Sequence, residues 1–329
     1  MEPDVDRIVA EHSFSGVVGI ERDGELTTRA YGLADRAHGV ANTVEHRFGI
    51  ASGTKTLTAI AVLSAVADGS LGLDLPVREL LGDELPLVDR RVTVRHLLQH
   101  RSGIGDYLDE NADLDRLDYA MRVPVHTLDG SAGYLAALDG YPQKFVPDTD
   151  FAYCNSGYVI LAALLERATG MSYAQAIGER VTGPAGMTRT EFLRMDALPG
   201  DAAVGYLLAD GLRTNVLHLP VVGFGDGGVF TTVGDVHLLW SALVDGRLGR
   251  DLLTTMTAPP VPGARYGMGM WLDEQPGIIT MEGMDAGVSF CSRRFPDSST
   301  FSVLSNTTDG AWPVAEHLTA TVRHFGATS

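Results

Sequence analysis

Apolar positions follow a strand-like rhythm near both ends of the chain and a helical rhythm between them. Residues 4–12 read as a short acidic helix. Ser15-Gly-Val-Val-Gly-Ile-Glu and Leu26-Thr-Thr-Arg-Ala-Tyr-Gly flank Asp23-Gly24. Asp-Gly supplies the positive φ angles of a tight turn, so the pair predicts a β-hairpin. The stretch 54–68 puts Ile60, Leu63 and Val66 on one stripe and stops at Gly69, which predicts a helix. A second helical piece follows Leu73, and 93–100 predict a short helix ended by Ser102-Gly103. Residues 105–150 read as irregular, with Pro142 and Pro147 as breakers. Tyr158 to about Thr169 predicts a strong helix closed by Gly170. Helices at about 172–182 and 236–244 follow, separated by a loop-rich stretch. Strands are predicted at 266–272, 277–282, 287–293 and 300–305, and a last helix at about 313–325. The order predicts one antiparallel sheet built from both termini around a helical insertion.

Composition narrows the class. The 329 residues can bury a large core, in one big domain or two intergrown ones. Hydrophobic residues at 45% and charged residues at 20% are ordinary for a globular protein. The net charge of −17, from 25 basic and 42 acidic residues, argues against nucleic acid or an anionic membrane surface as partner. Cys154 and Cys291 are too few for a disulfide framework and fit a reducing compartment. Met1-Glu-Pro-Asp-Val-Asp has neither a basic nor an apolar leader region, and no apolar run is long enough to span a bilayer. A cytoplasmic location is the expectation.

The first candidate chemistry is Ser52-Gly-Thr-Lys55 at the entrance to the apolar helix 54–68. Three residues are close to one turn, so hydroxyl and amine share a face. A helix N-terminus also presents unpaired N–H groups that favour an oxyanion. A serine hydroxyl needs a neighbour to remove its proton before it becomes a good nucleophile. An N-cap serine followed by a surface lysine is the plainer alternative. Of the 25 basic residues only Lys55 and Lys144 are lysine. Lysine can give up its proton where arginine effectively cannot, so its placement beside a serine points to chemistry.

Tyr153-Cys-Asn155 is the second element. In extended chain, residues i and i+2 point the same way, so phenol and amide can face one cleft. Beside a cationic Lys55 the phenol pKa is expected to fall. That would make Tyr153 a general base for Ser52 and then a general acid for the leaving group. A capped helix start with a buried aromatic is the alternative.

S-x-x-K opening one helix, with Y-x-N opening another about a hundred residues later, resembles the serine β-lactamase and penicillin-recognising superfamily. The likeness is to the class C branch with its esterases and D-aminopeptidases. It extends over Phe48–Lys55, Leu97-Leu-Gln-His100-Arg-Ser102-Gly103, 151–170, Gly227-Gly228-Val-Phe-Thr231-Thr232-Val-Gly-Asp235 and Leu304-Ser305-Asn306, in the family's order. The resemblance implies an α+β fold: a five-stranded antiparallel sheet flanked by helices, plus an all-helical lobe, with the catalytic cleft between. Residues 1–60 with 230–329 would form the sheet lobe of a single β-lactamase-like domain, and 61–229 the helical lobe.

The family's third element is Lys-Thr-Gly or His-x-Gly on a strand edging the cleft. Met281-Glu282-Gly283-Met284-Asp285-Ala286-Gly287 stands in its place, with Met281 where a lysine or histidine is expected. A thioether cannot hold the carboxylate of β-lactams or D-alanyl peptides. Esters or amides without that carboxylate fit better, and Met281→His or Met281→Lys is expected to improve handling of carboxylate-bearing substrates. By family position the oxyanion would be held by the backbone N–H groups of Ser52 and Met284.

Three further signals carry less. His96-Leu-Leu-Gln-His100 has zinc-helix spacing without the glutamate, and His100 matches a structural family position. Gly223-Phe-Gly225-Asp-Gly227-Gly228 fits G-x-G-x-x-G without βαβ surroundings. Asp109-Glu-Asn111-Ala-Asp113 begins like a calcium loop but has Leu114 where glycine is needed. Neither metal nor cofactor is expected. The leading function is a serine hydrolase in which Ser52 attacks, Lys55 and Tyr153 move protons, and Asn155 orients Lys55 and substrate. Its substrate is expected to be a small ester, amide or peptide, with β-lactamase or D-alanyl carboxypeptidase activity as the runner-up. The rival from another class is a catalytically weak ligand-binding protein that keeps the fold.

Overall fold

The computed structural model describes residues 3–110 and 119–326. Its main sheet is antiparallel and has six strands: β1 (Gly16–Arg22), β2 (Glu25–Tyr31), β3 (Trp271–Leu272), β4 (Ile279–Asp285), β5 (Val288–Arg294) and β6 (Thr300–Ser305). The order across the sheet is β2-β1-β6-β5-β4-β3. The two chain ends therefore meet in its middle, where Gly16 pairs with Ser305 and Glu21 with Thr300. The β1–β2 turn is Asp23-Gly24, both at positive φ (53° and 79°), as the hairpin reading required.

Alternation along the strands assigns the two faces. Val18, Ile20, Phe301 and Val303 bury against helices α1 (Pro3–Glu11) and α6 (Ala311–Gly326), through Val5, Val9, Val314 and Leu318. Val17, Leu304, Met281 and Phe290 point the other way, into the larger core. That core is organised by α2 (Thr54–Ala67) and α4 (Asn155–Thr169), with α3 (Val94–Leu98) and α5 (Val233–Val244) around them. Each buried Leu, Ile or Val contributes about 1.5–3 kcal/mol by leaving water.

The α2 helix departs from the single-stripe expectation, because every residue from Thr54 to Leu63 is buried. Its other faces carry alanines and threonines that let neighbouring chain approach. The hydroxyls of Thr56 and Thr58 donate to the carbonyls of Gly269 and Gly225, each at 2.6 Å. A helix buried on all sides shows no amphipathic moment, so one stripe could not reveal its surroundings.

Other differences are local. The sheet has six strands where the resemblance implied five, the sixth being the two-residue edge Trp271–Leu272 within the longer expected segment 266–272. A helix, Ser131–Ala137, and a 3₁₀ turn, Val125–Thr127, interrupt the stretch read as irregular. The helix Leu252–Thr257 was not anticipated. The helix expected from Tyr158 starts at Asn155 and closes at Gly170 (φ 71°). Asn111, Asp113 and Leu114 of the acidic run lie outside the described residues. Among those residues no helix is long and apolar enough to cross a membrane.

Candidate active site

The Ser52 turn is held from three directions. Phe48–Gly49 pairs with Phe230–Thr231 and delivers the chain to Ala51, whose φ of 45° is uncommon for a residue with a side chain. Ser52 sits in a 3₁₀ turn, Ala51–Gly53, just ahead of α2. The Thr54 hydroxyl donates to the Ala51 carbonyl (2.8 Å) and accepts from the Val229 amide (3.1 Å). Phe290 covers Gly53 so closely that a Cβ there would meet its ring at 2.6 Å. Ser52 is half-buried at the cleft, and Lys55, one turn deeper, is 1% exposed.

Lys55 Nζ has three close neighbours: Ser52 Oγ at 2.9 Å, Asn155 Oδ1 at 2.8 Å and the Asp226 carbonyl oxygen at 2.6 Å. Two of these are pure acceptors and the third is a hydroxyl. Nζ can donate to all three, and once it has lost a proton it can keep the two carbonyl bonds and turn its lone pair toward the Ser52 hydroxyl. Burial pushes the Lys55 pKa below its ordinary 10.5, although the carboxylates of Asp226, Glu110, Asp285 and Asp106 oppose the shift.

Asn155 is oriented by what holds its other end. Its Nδ2 donates to the Leu108 carbonyl at 2.8 Å, which leaves Oδ1 facing Lys55. The start of α4 is capped from another segment: the amides of Asn155 and Ser156 donate to the Asp106 carboxylate at 2.8 and 2.9 Å. Burial raises the Asp106 pKa to about 6 despite these bonds.

Tyr153 stands beside both groups, with Lys55 Nζ 4.9 Å from its ring centroid. Its ring stacks on Trp271 (centroids 5.7 Å, interplanar 9°) and packs against His100 at 4.3 Å. The expected fall in its pKa is overturned. Burial among these rings pushes the phenol well above its usual range, and Glu110 adds to the rise. A hydrogen bond with Ser52 acts in the opposite direction. Tyr153 is a protonated phenol here, suited to giving a proton rather than taking one.

Strand β4 runs past the turn with Gly283 against it. A Cβ on Gly283 would lie 2.5 Å from the Ser52 nitrogen and 2.8 Å from that of Gly53, and would collide with the Ile50 carbonyl. Only glycine lets the strand come this near. Residues 284–286, Met284 among them, line the cleft. Met281 does not. It is 2% exposed and faces the interior with Ile50, Leu57, Leu239 and Phe290. Glu282 points to the opposite sheet face, half-buried, where burial raises its pKa against the opposing pull of Arg293. The structure thus brings Ser52, Lys55, Tyr153, Asn155, Gly283 and Met284 together and leaves the Met281 and Glu282 side chains off the cleft.

The cleft wall was mostly unread in the sequence. Tyr107, Tyr119, Tyr134, Met121, Met195 and Leu219 give it an apolar side. Its titratable side chains are Glu110, Asp226, Asp285 and His218, and no lysine or arginine is among the described residues lining it. Asp226 is buried and accepts from the Tyr107 hydroxyl at 2.6 Å, and burial raises its pKa. The glycine motif at 223–228 has a steric cause. A Cβ on Gly225 would run into the Tyr158 carbonyl and Ala162, and one on Gly223 would meet Gly227 and Gly228, so the loop lies flat on α4 and aims the Asp226 carbonyl at Lys55. The two histidines of the zinc-like spacing are separately engaged. His96 Nδ1 accepts from the Thr93 amide at 3.2 Å, and His100 Nδ1 accepts from that of Cys154 at 3.1 Å.

This fold and this grouping of serine, lysine, tyrosine and asparagine define a class. The family model described as Beta-lactamase matches residues 2–324, and the chain belongs to that family. It is similar to the crystal structure of a penicillin binding protein from Bacillus halodurans, with a TM-score of 0.89 and 32% identity over 96% of this chain and 99% of that one. It is 37% identical to esterase EstB of Burkholderia gladioli over 61% of this chain and 52% of the esterase. It is 30% identical to the D-aminopeptidase of Brucella canis (strain ATCC 23365 / NCTC 10854 / RM-666) over 80% of this chain and 50% of the peptidase. The chain spans about half the length of these two curated relatives.

Proposed function

We propose that the chain is a serine hydrolase acting through a Ser52 acyl-enzyme on small esters, amides or peptides. The observation that carries this reading is the Lys55 amine, buried and poised 2.9 Å from Ser52 Oγ between two carbonyl acceptors. Lys55 Nζ takes the hydroxyl proton as Oγ bonds to the substrate carbonyl carbon. The carbonyl π pair moves onto oxygen, toward the N–H groups of Ser52 and Met284 as an oxyanion hole. Gly283 supports that assignment by bringing β4 against the Ser52 amide. As the carbonyl re-forms, the bond to the leaving group breaks. The departing oxygen or nitrogen takes its proton from Tyr153, which is resupplied through Lys55. Water then attacks the ester carbon as Lys55 takes one of its protons. When the carbonyl re-forms, the bond to Oγ breaks and Oγ takes that proton, releasing the acid and Ser52.

The cleft charge supports substrates without a carboxylate near the reacting carbonyl. Glu110, Asp226 and Asp285 line it, and no lysine or arginine is among its described lining residues. Penicillins and D-alanyl peptides carry such a carboxylate, so β-lactamase and carboxypeptidase activities fit less well than esterase or amidase activity. The relatives named esterase and D-aminopeptidase support the same range of ester and amide chemistry.

Mass spectrometry after incubation with a fluorophosphonate tests the reading. An adduct of one equivalent on Ser52, absent in Ser52→Ala, is the expected result. Absence of any adduct, together with no turnover of p-nitrophenyl esters, would favour the non-catalytic binding protein.

A further inference from the structure

His100 is fully buried at the end of α3, 1% exposed, with a positive φ of 54°. Its two acceptor atoms grip the chain on either side of Tyr153. The His100 carbonyl accepts from the Ala152 amide at 3.0 Å, and its Nδ1 accepts from the Cys154 amide at 3.1 Å. Between these bonds the Tyr153 ring packs on the imidazole at 4.3 Å, while Tyr266 and Tyr158 pack on it at 4.6 and 5.0 Å. A backbone donor at Nδ1 requires a lone pair there, so the proton resides on Nε2. Among the described residues Nε2 has no hydrogen-bond partner, and the ring it belongs to sits among aromatic rings. An imidazolium would set an Nδ1 hydrogen against the Cys154 hydrogen, and burial disfavours it further.

We propose that His100 is a positioning residue, which as a neutral Nε2–H imidazole accepting at Nδ1 fixes the Tyr153 phenol beside Ser52. The inference rests on the acyl-enzyme reading, because the phenol must matter for its placement to matter. A purely space-filling ring would need no acceptor at Nδ1. The acceptor secures the residue between Tyr153 and Asn155, so losing it loosens two groups of the site together.

His100→Asn and His100→Leu separate acceptor from bulk. Asparagine tolerates the left-handed backbone and places Oδ1 where the imidazole has Nδ1. His100→Leu is expected to lower kcat about 30-fold with KM changed less than about 2-fold, and His100→Asn to stay within about 3-fold of the parent. In a Tyr153→Phe background the His100→Leu effect on kcat should shrink below about 2-fold, since the two act through one group. Equal losses in both variants, or an undiminished loss in that background, would overturn the proposal. Nitrogen-15 NMR of the parent protein, with the His100 signals assigned by their absence in His100→Asn, provides a check that needs no folded leucine variant. It should read Nδ1 as unprotonated, and a protonated Nδ1 would overturn the proposal. Unchanged kcat in Tyr153→Phe alone, on an amide whose leaving nitrogen needs a proton, would overturn this inference while leaving the acyl-enzyme reading standing; only a missing Ser52 adduct overturns both.

Discussion

Gly283 and Ser52 come from strands and turns more than two hundred residues apart, yet a single added carbon on Gly283 would sit 2.5 Å from the Ser52 nitrogen. The contact is main chain to main chain, so no side-chain adjustment can absorb a substitution. Gly283→Ala is expected to push β4 off the turn and lower kcat for p-nitrophenyl acetate by about 100-fold, the scale of losing one oxyanion donor. Steady-state kinetics with a parallel melting curve check this, and an alanine variant within a few-fold of the parent would remove Gly283 from the site.

Lys55 should act as an amine and not as a charge. Lys55→Arg is expected to be as inactive as Lys55→Ala, with both down by about 1,000-fold or more in kcat, because a guanidinium keeps its proton. The pH profile gives the sign. Burial holds the Lys55 pKa below 10.5, so kcat/KM should rise with pH along a limb whose midpoint lies below that value. Tyr153 is held above the usual phenol range, so the falling limb belongs at strongly alkaline pH. A profile that declines as pH rises from 6 to 9 would contradict this assignment.

Asp106 links the start of α4 to pH. Its folded pKa of about 6 lies above the ordinary 3.8, so the folded state holds a proton that the unfolded chain has already lost. Its contribution to stability is therefore present in full below pH 3.8 and lost as pH rises through about 6. The stability difference between parent and Asp106→Ala should move in the parent's favour as pH falls from 7 to 4.5. Denaturant titrations at both pH values measure it, and the opposite trend would refute it.

Substrate charge should decide rates. Neutral or amine-bearing p-nitrophenyl esters are expected to exceed carboxylate-bearing ones of the same size by at least about 10-fold in kcat/KM, with the gap narrowing in high salt. Matched esters assayed at two ionic strengths show whether the cleft discriminates this way.

Met281→Lys is expected to destabilise the protein by several kcal/mol, since it sets an unpaired amine among apolar side chains, with no gain on carboxylate-bearing substrates. Met281→Leu should cost less than about 1.5 kcal/mol. Chemical denaturation of the two variants tests the inward placement.

What the sequence made legible was whatever local spacing encodes. Ser52 and Lys55 share a face by helix geometry, Tyr153 and Asn155 by strand geometry, and the Asp23-Gly24 hairpin by turn chemistry. Facts set by packing between distant segments stayed hidden. The resemblance placed Met281 at the cleft edge, but alternation along β4 sends its side chain inward with Gly283. The phenol of Tyr153 was read from one neighbour, Lys55, when burial by His100, Tyr266 and Trp271 dominates its ionisation. Asp226 reaches the site through its carbonyl oxygen, a group every residue carries, so composition could not flag it.

The central pairing of Gly16–Arg22 with Thr300–Ser305 also dictates when this molecule can be assembled. On the ribosome, the first hairpin must wait until Thr300–Ser305 has been made before its inner edge finds a mate. Until then that edge, with Val17 and Val18, stays open to foreign strands. Chaperone demand should accordingly concentrate late in translation, and fragments stopped short of the final strand should aggregate rather than retain partial order.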